Sequence, residues 1–266
     1  MRVMVRVWMM AAALFVSAHI HAAETNRWPS VEELIRRVII RAKATSENTN
    51  AYTYEKETTV HEFEDGKIKK TKRRTYVVEF RAGIPNARLV AVNGKALSEA
   101  EQTEERKRQE NLGKLRKRPA GRGERQDLYI TDELASRYIF ELKGESAVNG
   151  RPAWLVAFRP KPGLKDKNLP DRFLNRMGGE LWIDMHEDEV ACVKVQLQER
   201  ASLWGGFLGT LDRFSLVLYR VRLPDGAWLN SFSEVNIQAR KLFEAIHVQV
   251  LETSSDHRQS AAKGKP

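Results

Sequence analysis

GELWIDMHEDEVACVKVQLQE, residues 179–199, predicts a β-hairpin and places the chain among proteins built on an antiparallel sheet. Its second half alternates apolar with polar side chains, which is typical of a strand with one buried face. The buried set is Ala191, Val193, Val195 and Leu197. Between the two predicted strands, residues 186–188 have the polar composition of a turn.

The last third of the chain continues this hairpin as a meander. Further strands are predicted at about 211–223, 227–239 and 242–253, separated by short polar turns. Two of these segments, 211–223 and 242–251, are apolar on both sides. Either both faces of the sheet are covered, therefore, or one face borders an apolar cavity.

An amphipathic helix is predicted ahead of the sheet. Ser30 and Glu33 have the spacing of a capping box, and apolar residues then recur at helical spacing over about 30–46. A long hairpin follows, turning at Asp65–Gly66. With nine to eleven strands the sheet tends to curl. We therefore predict an α+β fold, a large curved antiparallel sheet with amphipathic helices plugging its concave face.

The N-terminal 23 residues have the organisation of a secretory signal peptide. Arg2 and Arg6 provide the positive start, a short apolar run follows, and small residues at Ala22 and Ala23 offer a cleavage site. The alternative is an uncleaved anchor, which the shortness of the apolar run disfavours because a bilayer span needs about 20 residues. The mature protein is expected to be soluble and periplasmic.

Three further segments complete the domain organisation. We expect residues 24–253 to form a single domain, which at this length buries a core without disulfides. Within it, 98–124 reads as a charged helical excursion that is solvated because it has few apolar side chains. The small, polar residues 254–266 are expected to be a disordered tail.

Motifs that carry catalysis are weak in this sequence. The run His186–Glu189 offers metal-ligand types, but its position favours a solvated turn. Cys192 is the single cysteine, so no internal disulfide forms, and no histidine lies beside it in sequence to activate it. The sequence therefore predicts no enzyme, no metal site and no cofactor.

The net charge of +10 is concentrated in two basic clusters. One lies on the second strand of the long hairpin and includes Lys69, Lys70, Arg73 and Arg74. Such clusters attract phosphate groups, of anionic lipid head groups or of nucleic acid. An exported protein seldom meets nucleic acid, so we expect none as a partner. An anionic membrane surface remains as a partner, and the competing interpretation is an ordinary solvated face.

Aromatic residues concentrate in the second half of the chain, where most are expected to form the core. A glycine-rich loop at 204–209 carries large apolar side chains that suit the mouth of a cavity for an acyl chain. The predicted apolar ligand-binding set is Trp154, Phe158, Trp182, Trp204, Phe207, Leu208, Phe214 and Leu218.

Several motifs in order resemble a known family. They are YTYEKE at 52–57, RLVAVNGKAL at 88–97, GRPAWLVAFRP at 150–160 and GELWID at 179–184. Together the sequence over about 30–252 resembles the outer membrane lipoprotein-sorting protein-like group of exported proteins. That group is part of a wider superfamily of Lol-type carriers and sigma-factor regulators in the periplasm.

The resemblance implies an unclosed half-barrel that binds lipid or the acyl chains of lipoproteins in its concave face. The expected function is a monomeric periplasmic carrier in lipoprotein sorting or envelope lipid transport, gated by the helix at 30–46 and the loop at 204–209. The alternative is a sensor module on the same fold that recognises an anionic partner or membrane surface. The charged excursion departs from the pattern of the well-studied carriers.

Overall fold

The computed structural model describes residues 28–45, 52–81, 84–116, 130–203, 209–241 and 244–259 of the chain. Its helices are α1 (Val31–Thr45), α2 (Glu99–Arg116), α3 (Asp132–Ser136) and α4 (Leu169–Leu174). Its strands are β1 (Tyr52–Glu64), β2 (Lys67–Arg81), β3 (Ile84–Val92), β4 (Lys95–Ala96), β5 (Tyr138–Val148), β6 (Arg151–Pro160), β7 (Met177–Asp184), β8 (Val190–Leu197), β9 (Ala201–Leu203), β10 (Gly209–Arg222), β11 (Trp228–Lys241) and β12 (Glu244–Gln259).

Within these ranges the 12 strands form one antiparallel sheet in the order β4-β3-β2-β1-β12-β11-β10-β8-β7-β6-β5, with β9 paired to the start of β10. The edges β4 and β5 are not paired with each other in the described chain, so the sheet is open. The N-terminal hairpin joins the meander through the pairing of β1 with β12. The predicted α+β class with an unclosed, mainly antiparallel sheet is confirmed.

Tight turns set the register of the hairpins. Asp65–Gly66, Asn93–Gly94 and Asn149–Gly150 have φ of 50–51° at the first residue and 74–75° at the glycine. Positive φ at both central residues matches the right-handed twist of the flanking strands, and glycine reaches it without steric cost. The Asp–Gly and Asn–Gly pairs in the sequence therefore mark where the strands reverse.

Helix α1 covers the concave side of strands β5 to β8 and β10. Its apolar stripe, Leu34, Ile35, Val38 and Ile39, is 0–6% exposed. The stripe packs into one cluster with Trp154, Val156, Leu181, Ile183, Val190, Val193 and Leu218. The Ser30 hydroxyl accepts from the Glu33 amide, but the Glu33 carboxylate pairs with Arg36, so only half of the predicted capping box forms.

A smaller cluster lies on the opposite side of the same strands. It contains Val148, Ala153, Ala191, Cys192 and Trp228, with Trp182 and Tyr219 packed against them. Period-two alternation produces this division, because neighbouring residues of a strand point to opposite faces. Each strand from β6 to β8 therefore contributes to two separate apolar layers.

Helix α2 occupies the predicted charged excursion and covers the outer edge of β3. The Glu105 carboxylate accepts from the Leu89 amide at 3.1 Å, and the Ala87 carbonyl accepts from Arg108 and Gln109 at 2.6 and 2.9 Å. Glu105 is only 7% exposed. The expectation of a wholly solvated helix is corrected here, because polar side chains satisfy backbone groups that an edge strand leaves unpaired.

The predicted disordered tail is wrong for its first six residues. Strand β12 continues to Gln259, and its last part pairs with the start of β1, as in Tyr52 with Gln259. Polar composition misled the prediction, because a strand in the interior of a sheet is held by backbone pairing whatever its side chains. Among the described residues, no helix has the length and apolar character to span a membrane.

Candidate ligand-binding cavity

An apolar cavity of about 260 Å³ lies on the concave side of the sheet, next to the area on which α1 packs. Strands β5 to β8 and β10 form its floor with Tyr138, Phe140, Phe158, Met177, Leu181, Val190, Val193, Val195, Phe214 and Leu216. Ile130, Leu134 of α3 and Leu174 of α4 complete the wall. The lining has one side-chain hydroxyl, that of Tyr138, and it donates to the Leu174 carbonyl at 2.8 Å. A concave surface with such an apolar lining suits apolar ligand groups.

The floor of the cavity belongs to one continuous row of paired residues across the sheet, here called the central row. Directly paired residues share a face, so every member of the row points to the concave side. The row runs Phe140, Phe158, Gly179, Val195, Leu216, Val235, Val250, Val60 and Lys72. It is apolar along its whole length until its last member, on β2.

Gly179 is the one member of the central row without a side chain. A Cβ built there would lie 1.9 Å from the Lys194 carbonyl oxygen and 3.1 Å from the Phe158 ring. Such distances are incompatible with any larger residue unless the backbone moves. The glycine therefore lets the Phe158 ring lie across the strand at the cavity floor.

The predicted apolar ligand-binding residues are divided by the structure. Phe158 and Phe214 line the cavity. Trp154 and Leu218 lie in the cluster under α1, where they are 9% and 4% exposed. Their present role is to anchor the helix that borders the cavity.

Trp182 lies on the other face of the sheet. Its indole N–H donates to the Ser146 hydroxyl at 3.2 Å, and the Lys194 ammonium lies 4.7 Å from the ring centroid. The alternation of β7 turns it outward between Leu181 and Ile183, so it does not line the cavity. Trp204, Phe207 and Leu208, with the predicted loop gate, lie outside the described residues.

The turn between β7 and β8 ties α1 to the rim of the sheet. Arg37 approaches Asp188 at 3.3 Å, and Arg41 approaches Glu189 at 3.2 Å and Glu187 at 3.8 Å. The Arg37 pair lies at the middle of the helix and the Arg41 pairs lie in its C-terminal half, whereas its apolar stripe rests on the sheet. We call the four carboxylates of this turn, Asp184, Glu187, Asp188 and Glu189, together with the arginines that contact them, the turn cluster.

Three strand arginines hold the turn cluster from the sheet side. Arg151 makes a two-pronged contact with Asp184, at 2.6 and 3.1 Å. Arg220 donates to Glu189 at 2.7 Å, and Arg222 donates to Glu187. These bonds leave Asp184 at 0% and Glu189 at 3% exposure. The expectation of a solvated turn over His186–Glu189 is therefore corrected for Glu189, which partners remote in sequence bury, whereas His186 is exposed as expected.

The carboxylates of the turn cluster have shifted pKa values. Burial raises the pKa of Asp184, but the Arg151 hydrogen bond and the amides of His186 and Glu187 outweigh it and hold that pKa below its ordinary value. Burial also opposes the lowered pKa of Glu187, where hydrogen bonds from Trp228 and Arg222 prevail. These two groups favour the charged form, which is what a structural ion cluster requires.

Asp188 differs from its neighbours in the cluster. Burial raises its pKa although the charges of Arg37 and Arg41 work in the opposite direction. Its contact with Arg37 is also longer than the contacts that Arg151 and Arg220 make. The attachment between α1 and the turn is therefore weaker than the attachment between the turn and the sheet.

The four predicted anion-binding residues fall into two pairs. Lys69 lies in a bulge and pairs with Glu64 at 2.8 Å, and Arg73 pairs with Glu57 at 3.6 Å. Lys70 and Arg74, in contrast, share the concave face with Lys72. The period of β2 separates the two pairs, which cluster in the sequence but not in space.

The described residues hold no arrangement suited to metal binding, since no group of three or more histidine, cysteine, aspartate and glutamate side chains comes together there. Cys192 is 1% exposed, and burial raises the pKa of its thiol to about 11. A thiol in this state is a poor nucleophile. The chemistry available at the cavity is the burial of apolar groups.

Comparisons with known proteins give low similarities over most of the chain. No protein-family model matches it, and no curated protein matches it. A solved DUF1329 family protein from Desulfovibrio piger aligns over 89% of this chain and 95% of its own, with 12% identity and a TM-score of 0.39. A domain described as an outer membrane lipoprotein-sorting protein, from Vibrio parahaemolyticus, aligns over 88% and 94%, with 11% identity and a TM-score of 0.41.

A LolA superfamily protein from Nitrosomonas europaea aligns over 85% of this chain and 94% of its own, with 6% identity and a TM-score of 0.30. The fold described above is established by the strand order and helix packing of this chain itself.

Proposed function

We propose that this chain is a non-catalytic periplasmic binding protein that accepts the acyl chains of lipids or lipoproteins. The observation that carries the proposal is the apolar cavity on the concave face, whose lining has one polar side-chain group and that group already bonded. The export motif in residues 1–23, which lies outside the described residues, supports the periplasmic location.

Burial of methylenes supplies the driving force. Each methylene removed from water contributes about 0.8 kcal/mol. A volume of about 260 Å³ is slightly below the range of pockets for drug-sized ligands and suits part of an acyl chain. The central row continues the apolar surface beyond the cavity onto β11, β12 and β1, where the remainder of a long chain finds cover.

Helix α1 is the gate in this proposal. It packs on the residues adjoining the cavity and is tied to the turn cluster at its middle by Arg37 and in its C-terminal half by Arg41. Arg41 is 38% exposed, so water screens its ion pairs and weakens the tie. Release of this end lets the helix tilt while the carboxylates stay fixed by the strand arginines.

The test places a tryptophan in the cavity and, as a control, on the neighbouring residue. Leu216 lines the cavity, whereas Val217 points to the opposite face and pairs with Glu234. The readout is displacement of the fluorescent probe N-phenyl-1-naphthylamine by palmitate. Leu216→Trp is expected to weaken palmitate binding by about tenfold, equivalent to two methylenes excluded from the cavity. Val217→Trp is expected to leave it unchanged.

Two results would contradict the proposal. The first is a purified protein that neither carries nor takes up an acyl lipid. The second is an equal effect of the two tryptophans, since a general loss of stability affects both. Thermal unfolding of each variant, measured beside the binding, separates the two causes.

A further inference from the structure

The far end of the central row joins apolar to basic surface. Val235, Val250 and Val60 are half-buried and belong to neither of the two hydrophobic clusters. Lys72 is the next residue of the row. An apolar strip thus leaves the cavity, crosses three strands and ends on a cation.

Lys72 is the middle of three basic residues on that face. Lys70 and Arg74 flank it at a spacing of two residues along β2, so all three point to the concave side. In the described part of the chain, none of the three forms an ion pair. Lys69, which precedes them, is paired with Glu64. Arg73, which lies between Lys72 and Arg74 in the sequence, is paired with Glu57.

The acidic groups nearby offset only part of this charge. Glu62 lies opposite Lys70 and is exposed. Glu101 feels the charge of Lys72, and its carboxylate stays charged because it accepts from the Ser98 amide at 2.9 Å and the Ser98 hydroxyl at 2.8 Å. Glu252, which is paired with Thr58 across the strands, forms an ion pair with Lys56 at 3.0 Å. Lys70, Lys72 and Arg74 against Glu62 and Glu101 therefore leave an excess of one positive charge beside the apolar strip.

The separation of the two ends suits one amphiphile. Leu216 in the cavity and Lys72 are four strands apart, which is about 19 Å along the sheet at the usual strand spacing. This is comparable with an extended long acyl chain. A ligand whose tail enters the cavity therefore brings its polar end to β2.

We propose that Lys70, Lys72 and Arg74 form the head-group site of this cavity and select anionic lipids. This inference rests on the proposed acyl-chain function and adds the class of ligand. The acyl chain lies in the cavity and along Val235, Val250 and Val60, and the lipid phosphate is held by the three cations. Their hydrogen bonds to phosphate are charge-assisted, which strengthens them relative to neutral ones.

The experiment offers the protein two lipids that differ in head group alone. Vesicles contain equal amounts of palmitoyl-oleoyl phosphatidylglycerol and palmitoyl-oleoyl phosphatidylcholine. After incubation, the protein is separated by gel filtration and its bound lipid is quantified by mass spectrometry. The unmodified protein is expected to favour phosphatidylglycerol by about fivefold, which is the preference that one uncompensated cation near the phosphate provides.

Two double variants remove the same amount of charge from different faces. Lys72→Gln with Arg74→Gln is expected to abolish the preference while total bound lipid persists. Lys69→Gln with Arg73→Gln, which removes the paired cations, is expected to retain it. Equal loss in both variants would attribute selection to net charge and overturn the head-group site.

The outcomes also separate this inference from the function it rests on. Lipid bound by the unmodified protein without any head-group preference refutes the head-group site and leaves the acyl-chain function standing. Absence of bound lipid in the unmodified protein refutes the function itself.

Discussion

Replacing Glu189 by glutamine tests whether the turn cluster holds the helix and the sheet together. The Glu189 side chain is 4% exposed and accepts from Arg220 at 2.7 Å and from Arg41 at 3.2 Å. Glutamine keeps the shape but loses the charge that both guanidinium groups need. Breaking a buried ion pair by removing one partner costs about 3–5 kcal/mol, and the Arg41 contact is partly screened. The expected loss in free energy of unfolding is therefore about 3 kcal/mol.

The assay is urea unfolding followed by tryptophan fluorescence, at neutral pH and low salt. A double-mutant cycle with Arg220→Gln is expected to give a coupling energy of about 1.5–3 kcal/mol between the two residues. Asp212→Asn is the control, because its partner Arg240 is 52% exposed and the loss there is expected to stay below about 1 kcal/mol. A loss below about 1 kcal/mol for Glu189→Gln, or additivity in the cycle, would refute the structural role of this pair.

Three further predictions concern the helix and the sheet. Leu34→Ala, at a side chain with 0% exposure, is expected to lower the free energy of unfolding by about 3 kcal/mol, whereas Ile40→Ala, at 53% exposure on the same helix, changes it by less than about 0.5 kcal/mol in urea unfolding. The pKa values of Asp184 and Glu187 are lowered in the folded state, so their contribution to the free energy of unfolding is fully present above their ordinary pKa values and is lost as the pH falls through the lowered ones. Thermal melts should therefore show stability declining below about pH 4. A flat stability profile in that range would contradict the lowered pKa values. The Cys192 thiol, with its pKa at about 11, is expected to resist iodoacetamide in the native protein at pH 8 and to react at once in urea; rapid native labelling would contradict its burial.

Local patterns account for what the sequence predicts correctly. The apolar spacing from Leu34 to Ile39 belongs to one helix, and Asp65–Gly66 or Asn149–Gly150 fix a hairpin through their own backbone preferences. In each case the information lies within a few residues. The helix, the hairpins and the fold class are therefore readable from the chain alone.

Features that depend on distant partners are not readable in this way. Arg41 and Glu189 are 148 residues apart, so nothing in the sequence around the turn indicates the burial of the Glu189 carboxylate. Trp154 and Trp182 look alike as aromatic residues of a sheet, but only the register shows that they occupy opposite faces. Knowledge of the register would also have separated Lys70 from Lys69. The alternation of side chains between the two faces of β2 could have predicted this separation, although a bulge at Lys69 interrupts the alternation.

The pairing of β1 with β12 has a consequence for the order in which the protein matures. Thr58 and Glu252, bonded across this pair, are 194 residues apart, and β1 can take its place only when the last strand exists. Long-range pairings of this kind slow folding, because the entropy of closing a long loop must be met first. A nascent chain therefore lacks its final strand during synthesis and stays unfinished. Joining the N-terminal hairpin to the rest of the sheet is therefore a late step, which follows the synthesis of every other described strand.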